Sequence, residues 1–319
     1  MKRNTLLNTV ILAAFLAGCA QSQSKADVAK VDDSSPGSAA VSLTDFAERT
    51  VTFEHPPERI VALSNGEMDI IYELGGELVG RPNSNRTIAI NEAKNVEEVG
   101  STHSVDLEKI TALQPDVVLG NHPMNTKDIP AIEGTGAQVI LTGANSVDDI
   151  KKQVELFGKL LRKEDKSKEI IDNIENKVDE VQASQSGERP RVLLVYGAPG
   201  TNMAALPNSL SGNLLELAGG ENIASDFPGL DSYPQYAQLN TERIIEANPE
   251  IILLMSHGNP EEVKDSFLNE MKKNTGWNDL EAVKNDRFVI LPSDLFGTNP
   301  GTRVTESLEF LQEIFKELK

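Results

Sequence analysis

The sequence predicts an α/β protein with two α/β lobes around central parallel-type sheets, joined by one long α-helix, with a ligand cleft between the lobes. A repeat is the main indication. Leu107–Ile110 and Gln114–Leu119 reappear as Thr241–Ile244 and Asn248–Leu253, 134 residues further along the chain. Each copy is typical of a short helix, a proline that ends it, and a buried strand. Two such copies indicate two similar lobes, and paired lobes form a cleft.

Short apolar runs bounded by polar residues predict the strands of the first lobe. Arg59–Ser64, Leu78–Gly80, Val117–Gly120 and Val139–Thr142 are runs of this kind. They are typical of parallel strands that are buried on both faces. A helix is predicted at Met68–Leu74, directly after the first strand.

The second lobe begins with the same order of elements. Arg191–Gly197 predicts a strand, and Ser211–Leu217 predicts the helix after it. Further along, Arg287–Leu291 predicts a strand, and Pro260–Lys273 and Thr302–Leu318 have the apolar spacing of helices.

A long segment between the lobes, residues 147–185, has a helical pattern of apolar residues. One helix of that length would span about 50 Å at 1.5 Å per residue. A coiled coil is the alternative, but the segment covers few heptads. Because a single helix resists a wide hinge motion, we expect the lobes to close only slightly. The apolar positions are Ile150, Val154, Phe157, Leu161, Ile170, Ile174, Val178 and Val181.

The N-terminus has the pattern of a bacterial lipoprotein leader. Lys2 and Arg3 precede the apolar stretch Leu6–Leu16, which is too short to span a bilayer. The following residues, up to Cys19, resemble a lipobox, so we expect residues 1–18 to be a signal peptide and Cys19 to carry the lipid. The expected location is the extracellular face of the cell membrane of a Gram-positive bacterium. Cys19 is the only cysteine, so an intrachain disulfide is excluded.

These patterns divide the chain into five segments. After the leader we predict a flexible tether at 19–47, rich in Ser, Ala and Asp. The N-terminal lobe follows at 48–146, the connecting helix at 147–185 and the C-terminal lobe at 186–319.

Composition excludes some functions. The formal net charge of −19 argues against nucleic acid, whose phosphates it would repel. The sequence contains no G-x-S-x-G, P-loop or H-E-x-x-H motif, which argues against an enzyme.

Candidate ligand contacts lie in the loops after the predicted strands, because ligands of open α/β sheets bind at the carboxyl ends of the strands. Methionine, histidine, tyrosine and phenylalanine side chains occur together there. This mixture suits a large, planar, apolar ligand that contains a metal. The candidates are Asn65, Gly66, Glu67, Met68, Arg86, His103, His122, Met124, Tyr196, Met203, Tyr236, His257 and Phe296.

His257 is the most specific of these candidates. It follows the apolar run Ile252–Met255 and precedes Gly258-Asn259-Pro260, where the chain turns into a helix. By position alone, a loop histidine that bonds to backbone remains the alternative.

The combination of lipobox, two α/β lobes and a connecting helix resembles the helical-backbone class of substrate-binding proteins that serve ABC importers of siderophores, cobalamin and heme. The similarity covers nearly all of the chain after Cys19. Within that class, the second half resembles the heme-binding lipoproteins of the iron-regulated surface determinant type. The similar stretches are Gly197–Gly200, Gly212–Ile223, Asn240–Glu242, Pro249–Leu253, His257–Val263 and Glu281–Asn285.

The resemblance implies that His257 is an axial ligand of heme iron. It implies a methionine as the opposite ligand, from the loop and helix after the first strand, where Met68 is the match by element. The first lobe resembles these lipoproteins less closely than the second does, so His103, His122 and Met124 remain alternatives for the opposite ligand. A Met/His pair holds iron without adding charge and raises its reduction potential relative to anionic ligands.

The porphyrin would lie between tyrosine, phenylalanine and aliphatic side chains. Backbone N–H groups at Asn65–Glu67, at a helix start, could bind its propionates, and Arg86 is the alternative. The resemblance also implies that Glu108 and Glu242, one on each lobe, dock into arginines of the permease.

The sequence therefore predicts a monomeric, membrane-anchored receptor that delivers heme to an ABC permease. A ferric siderophore or cobalamin receptor of the same fold is the alternative, and its binding would depend on Arg86, Trp277 or the tyrosines. A surface adhesion or signalling module that uses the cleft as a protein site is a third possibility.

Overall fold

Two β-sheets, one in each half of the chain, organise the protein. The computed structural model describes residues 40–84, 90–198, 200–256, 259–273 and 275–318. Cys19, Arg86 and His257 lie outside the described residues.

In the described residues of the first half there are seven strands and three helices, followed by two helices that precede the second lobe. In chain order they are β1 (Val41–Thr44), β2 (Thr50–Phe53), β3 (Ile60–Ala62), α1 (Asn65–Glu73), β4 (Gly80–Arg81), β5 (Glu97–Glu98), α2 (Leu107–Leu113), β6 (Val117–Asn121), α3 (Ile129–Glu133), β7 (Gln138–Thr142), α4 (Val147–Leu161) and α5 (Glu164–Ala183). The predicted α/β class is confirmed.

The first sheet is parallel throughout, in the order β5-β4-β3-β6-β7. Both faces of its central strands are buried, which explains why their sequences are continuously apolar. Ile60 and Ala62 pack on the side of α1 and α4, whereas Val61 packs on the side of α2 and α3. The carboxyl ends of the strands therefore all lie at one edge, beside the start of α1.

The predicted tether, residues 19–47, includes residues that belong to the first strand. Strand β1 begins at Val41 and pairs antiparallel with β2, and Leu43 faces Val51 across the pair. Leu43 is buried. Four alternating residues are too short a run to separate from a loop by pattern alone.

The prediction of a single connecting helix at residues 147–185 is wrong, because this segment folds as two helices. Helix α4 ends at Arg162, whose φ of 55° is left-handed, and α5 starts two residues later. The helices pack antiparallel, with Lys151 Nζ 2.9 Å from Glu175 and Ser167 Oγ donating to the carbonyl of Val154. Each helix has an apolar face, but no apolar residue occurs between Leu161 and Ile170, and nine residues are about 2.5 helical turns. The apolar face is therefore interrupted at the break. In the part of the chain that the structure describes, no helix is long and apolar enough to cross a membrane.

Seven more strands and six more helices lie in the part of the second half that the structure describes. They are β8 (Arg191–Ala198), β9 (Thr201–Ala205), α6 (Leu210–Leu217), β10 (Glu221–Asn222), β11 (Gly229–Leu230), β12 (Tyr233–Gln238), α7 (Thr241–Ala247), β13 (Ile251–Ser256), α8 (Pro260–Lys272), α9 (Glu281–Lys284), β14 (Phe288–Ile290), α10 (Ser293–Phe296) and α11 (Val304–Glu317).

The second sheet is mixed and not purely parallel, in the order β11-β12-β9-β8-β13-β14 with β10 beside β8. Strands β8, β13, β14 and β10 are parallel, whereas β9, β12 and β11 are antiparallel to their neighbours. The chain turns from β8 into β9 at Gly200, whose φ is +78°. Glycine adopts this conformation without strain, and the turn reverses the strand direction.

The repeat in the sequence corresponds to a repeated structure. Asp106 and Asn240 cap α2 and α7, and each side chain accepts a hydrogen bond from the backbone N–H three residues later, at 3.1 Å. Both helices end at a left-handed residue, Gln114 with φ 47° and Asn248 with φ 44°. The two copies thus have the same start, end and following strand.

The chain returns to the first lobe just before its last helix. Asp69 on α1 accepts hydrogen bonds from the backbone N–H of Thr302 at 2.6 Å and from its hydroxyl at 2.8 Å. Gly301, at φ +66°, lies so close that a Cβ would be 2.3 Å from the Asp69 carboxylate. Since α11 itself packs on α5 and α6, this contact joins the two lobes.

Replacement of Asp69 by alanine should destabilise the protein by about 2 kcal/mol. The unpaired N–H and hydroxyl of Thr302 would cost about 1–3 kcal/mol each, partly offset by the removal of a buried charge. Urea unfolding measures the change. The control is Glu73→Ala, at an exposed position of the same helix, which should stay within about 0.5 kcal/mol of wild type. Equal stability of the two variants would contradict the role of Asp69.

Candidate functional site

The carboxyl ends of the two sheets approach each other at residues 297–299. A Cβ on Gly297 would lie 3.4 Å from the carbonyl oxygen of Ser256, at the end of β13. Two residues later, the side chain of Asn299 packs directly on Gly66, at the start of α1. Two residues span at most about 7 Å, so both sheet edges border the same region.

On the first-lobe side of this region, Glu67 lies in a closed network of hydrogen bonds. Its carboxylate accepts from the hydroxyl of Thr142 at 2.5 Å and from the hydroxyl of Ser64. Thr142 is the last residue of β7, and Ser64 is the residue before α1. The network ties the first turn of α1 to the end of a neighbouring strand.

Burial changes the chemistry of Glu67. The side chain is 1% exposed, and loss of water raises its pKa from 4.5 to about 7, although its hydrogen bonds with Thr142 and the backbone act in the opposite direction. A carboxyl group that titrates near neutral pH therefore lies beside the site.

Two loops of the first lobe are held side by side by Asn125. Its side-chain oxygen accepts from the N–H of Asn121, and its amide donates to the carbonyl of Thr102 at 3.1 Å. The loops carry His103, His122 and Met124, all of which are exposed. Three of the four candidate iron ligands of the first lobe therefore lie together at this edge.

Met68, the fourth candidate, points into the protein. It is 6% exposed and belongs to the core cluster that includes Ile70 and Ile71 of the same helix. Contact with a ligand would require its side chain to turn, and methionine is flexible enough to do so.

On the second-lobe side, three candidates form one aromatic and thioether surface. Tyr196 on β8 pairs with Met203 on β9, and its ring centroid is 5.0 Å from that of Tyr236 on β12. Burial raises the pKa of Tyr196 and raises that of Tyr236 to about 12. Both phenols are therefore neutral at physiological pH and present rings rather than charges.

Strand β13 ends at Ser256, the residue before His257. The hydroxyl of Ser256 is buried and has no hydrogen-bond partner in the part of the chain that the structure describes. Phe296 lies nearby in α10. It is 5% exposed, and its ring centroid is 6.0 Å from that of Phe310. Trp277, in contrast, packs edge-on against Phe267 in the core on the α8 side of the sheet, so it is not at this edge.

Glu108 and Glu242 are exposed at the first turns of α2 and α7. The basic residue after each one is held by its own lobe: Lys109 Nζ is 2.8 Å from Glu97, and Arg243 donates to Asp226 at 2.9 Å. Neither glutamate forms an ion pair with another described residue. Both copies therefore present an uncompensated carboxylate.

Three residues of this region are not indicated by any sequence pattern, namely Thr142, Asn125 and Asn299. For Glu67, the sequence analysis predicts a role of the backbone N–H but not of the side chain. Ser64-x-x-Glu67 has the spacing of a capping box, however, which indicates a glutamate that folds back on the helix start. The other three contacts come from distant parts of the chain and leave no local pattern.

The chain belongs to the periplasmic binding protein family, whose model matches residues 60–295. The protein is accordingly a binding protein and not an enzyme.

Among curated proteins, it is similar to the high-affinity heme uptake system protein IsdE of Staphylococcus aureus strain Newman, with 29% identity over 240 residues, 75% of this chain and 80% of that protein. The crystal structure of S. aureus IsdE complexed with heme matches with a TM-score of 0.71 and 28% identity, covering 81% of this chain and 98% of that one. An ABC transporter substrate-binding protein from Listeria monocytogenes EGD-e matches with a TM-score of 0.71 and 29% identity, over 82% of this chain and all of that one.

The buried Glu67 should lower stability as the pH rises. Its folded-state pKa of about 7 lies above the ordinary glutamate value of 4.5, which applies to the unfolded chain, so between these pH values the folded chain keeps a proton that the unfolded chain has lost. The free energy of unfolding should fall between these two pH values, by on the order of 3 kcal/mol. In Glu67→Gln this contribution should be absent, which urea unfolding across the pH range measures.

The control is Glu73→Gln, an exposed change in the same helix, whose pH profile should parallel that of wild type. A Glu67→Gln profile parallel to wild type would show that Glu67 does not titrate in this range.

Proposed function

We propose that this protein is the membrane-anchored substrate-binding component of an ABC importer and that it binds heme between its lobes. His257 is the proposed axial ligand of the iron, and Cys19 is the proposed lipid attachment site. The heme is cargo, which the protein passes to the permease.

The position of β13 carries this proposal. This strand lies between β8 and β14, and its last residue, Ser256, lies where the carboxyl edges of both sheets approach each other. His257 is the next residue, so an imidazole follows the strand at the edge where the ligands of open α/β sheets bind. The similarity to IsdE, known in complex with heme, supports the assignment of the ligand.

The neutral aromatic surface suits a porphyrin. Tyr196 and Tyr236 are neutral at physiological pH, and burial raises the pKa of both further, so they can pack against an apolar ring without a charge penalty. The porphyrin's large apolar area would supply most of the binding free energy. Its propionates would bind to the first N–H groups of α1, at Asn65–Glu67, or to Arg86.

The opposite iron ligand is proposed to be Met68. It lies on the helix directly after β3, next to Glu67 and Gly66 at the shared edge. His103, His122 and Met124 are the alternatives, since all three lie on the loops that Asn125 connects. A thioether or an imidazole from the first lobe would complete an uncharged axial pair.

Docking on the permease is assigned to Glu108 and Glu242. The two carboxylates occupy equivalent positions of the repeat, and their basic neighbours are neutralised by Glu97 and Asp226. Two exposed negative charges at equivalent places would orient the protein on a basic partner and speed encounter.

Purified protein mixed with hemin should show a sharp Soret band, which His257→Ala should abolish. Removal of a residue that only supports a ligand weakens binding by about 10- to 100-fold. Removal of a direct ligand should weaken hemin binding by more than this. The control is His55→Ala, which removes an exposed histidine of the loop after β2. An unchanged spectrum in His257→Ala would refute the ligand assignment. Tight binding of a ferric siderophore without a Soret response to hemin would favour the alternative receptor.

The same titration with Met68→Leu identifies the opposite ligand. Leucine keeps the volume but removes the sulfur, so the Soret band should move while the chain stays folded. The comparison variants are His103→Ala, His122→Ala and Met124→Leu. If the Soret band moves in one of these variants but not in Met68→Leu, the opposite iron ligand lies on the loop after β5 or the loop after β6.

Glu108→Gln and Glu242→Gln should each weaken binding to the cognate permease by about tenfold, or ~1.4 kcal/mol, without changing the hemin spectrum. Binding of the hemin-loaded protein to permease in lipid nanodiscs measures this effect, which should shrink at high salt. The control is Glu313→Gln, at an exposed position of α11. Wild-type binding by both Glu108→Gln and Glu242→Gln would refute the docking assignment.

A further inference from the structure

A groove lies directly beside Glu242 on the second lobe. It has a volume of about 480 Å³ and runs between the segment before β11 and the start of α7. Phe227, Leu230 and Leu239 form its apolar walls, and Glu242 lies on its border. The groove and the proposed docking glutamate therefore share one surface.

The walls of the groove are fixed by the core of the lobe. Phe227 is 6% exposed and belongs to the cluster that contains Ile244 of α7. The guanidinium of Arg243 stacks over the Phe227 ring at 5.0 Å and donates to Asp226. Because Asp226 balances the charge of Arg243, Glu242 gives this surface its negative charge.

The first lobe has a different surface at the equivalent place. Leu107 occupies the position that Thr241 has in the second copy, and its side chain is 37% exposed. The first docking helix thus presents a projecting apolar side chain beside Glu108, whereas the second presents a recess beside Glu242.

We propose that this groove receives an apolar side chain from the permease loop whose arginine pairs with Glu242. The inference rests on the docking function proposed above and adds the second contact of that site. Charge complementarity selects the occupant: Glu242 is exposed without an ion-pair partner among the described residues, on a chain of net charge −19, so the partner must be basic. The groove combines apolar walls with polar residues such as Gln238 and Asn240. Apolar walls next to a charge pair have the form of an interface hot spot, in which an anchor side chain is desolvated beside an arginine.

The test fills the groove without touching Glu242. In Thr241→Trp the indole occupies the recess, and in Leu230→Ser an apolar wall is lost. The matched control is Thr44→Trp, which fills another groove of about 530 Å³, between β1 and α4, away from both docking helices. Each variant is first shown to have the hemin spectrum and the unfolding midpoint of wild type. The affinity of each hemin-loaded protein for the cognate permease in lipid nanodiscs is then measured.

Thr241→Trp and Leu230→Ser should each weaken permease binding about tenfold or more, whereas Thr44→Trp should bind as wild type does. If Glu108→Gln and Glu242→Gln weaken binding but Thr241→Trp and Leu230→Ser do not, the groove inference is overturned and the docking function stands. If neither glutamate matters, the docking function itself fails. Loss of a dimer in Thr241→Trp with unchanged permease affinity would assign the groove to a second copy of the chain and overturn the inference.

Discussion

The hydrogen-bonded contact between α1 and residues 297–303 determines how the two lobes face each other. Asp69 accepts two hydrogen bonds from Thr302, and the amide of Asn299 donates to Gln153 of α4 at 2.9 Å. A second link lies at the start of α4, where Asn213 of α6 accepts from the N–H of Val147. A hydrophobic cluster that runs through α1, α4, α5 and α11 adds apolar contacts to these links.

The same contact positions two buried acids on one helix turn. Glu67 and Asp69 both have raised pKa values because they are buried, about 7 and about 6 respectively. Asp69 is the structural partner, since both of its hydrogen bonds reach the returning chain. Glu67 lies at the edge where the ligand is proposed to bind, and its cost in stability at neutral pH is typical of a functional position.

The repeat shows that two different sets of residues form the same local structure. Asp106 and Asn240 cap the helices, and Gln114 and Asn248 end them in the left-handed conformation, because each helix must turn directly into a buried strand. Other residues of the two copies differ as well. Thr241 replaces Leu107 at the start of the helix, and His257 follows Ser256 at the end of β13, whereas His122 follows Asn121 at the end of β6. These differences give the two lobes different surfaces without changing the fold.

The sequence by itself determined the α/β class, the two lobes and most strands and helices, because apolar periodicity and caps act over a few residues. It also indicated that Glu108 and Glu242 are exposed, as they are in the structure. The helix break at Arg162 was not predicted, since each side of it has helical spacing and the polar residues 162–169 are also compatible with an exposed part of a helix. Only the tertiary structure decided that Thr142, Asn125 and Asn299 hold the edges of the site, and that Trp277 lies in the core. These contacts join residues far apart in the chain, and their geometry depends on how the sheets and helices pack.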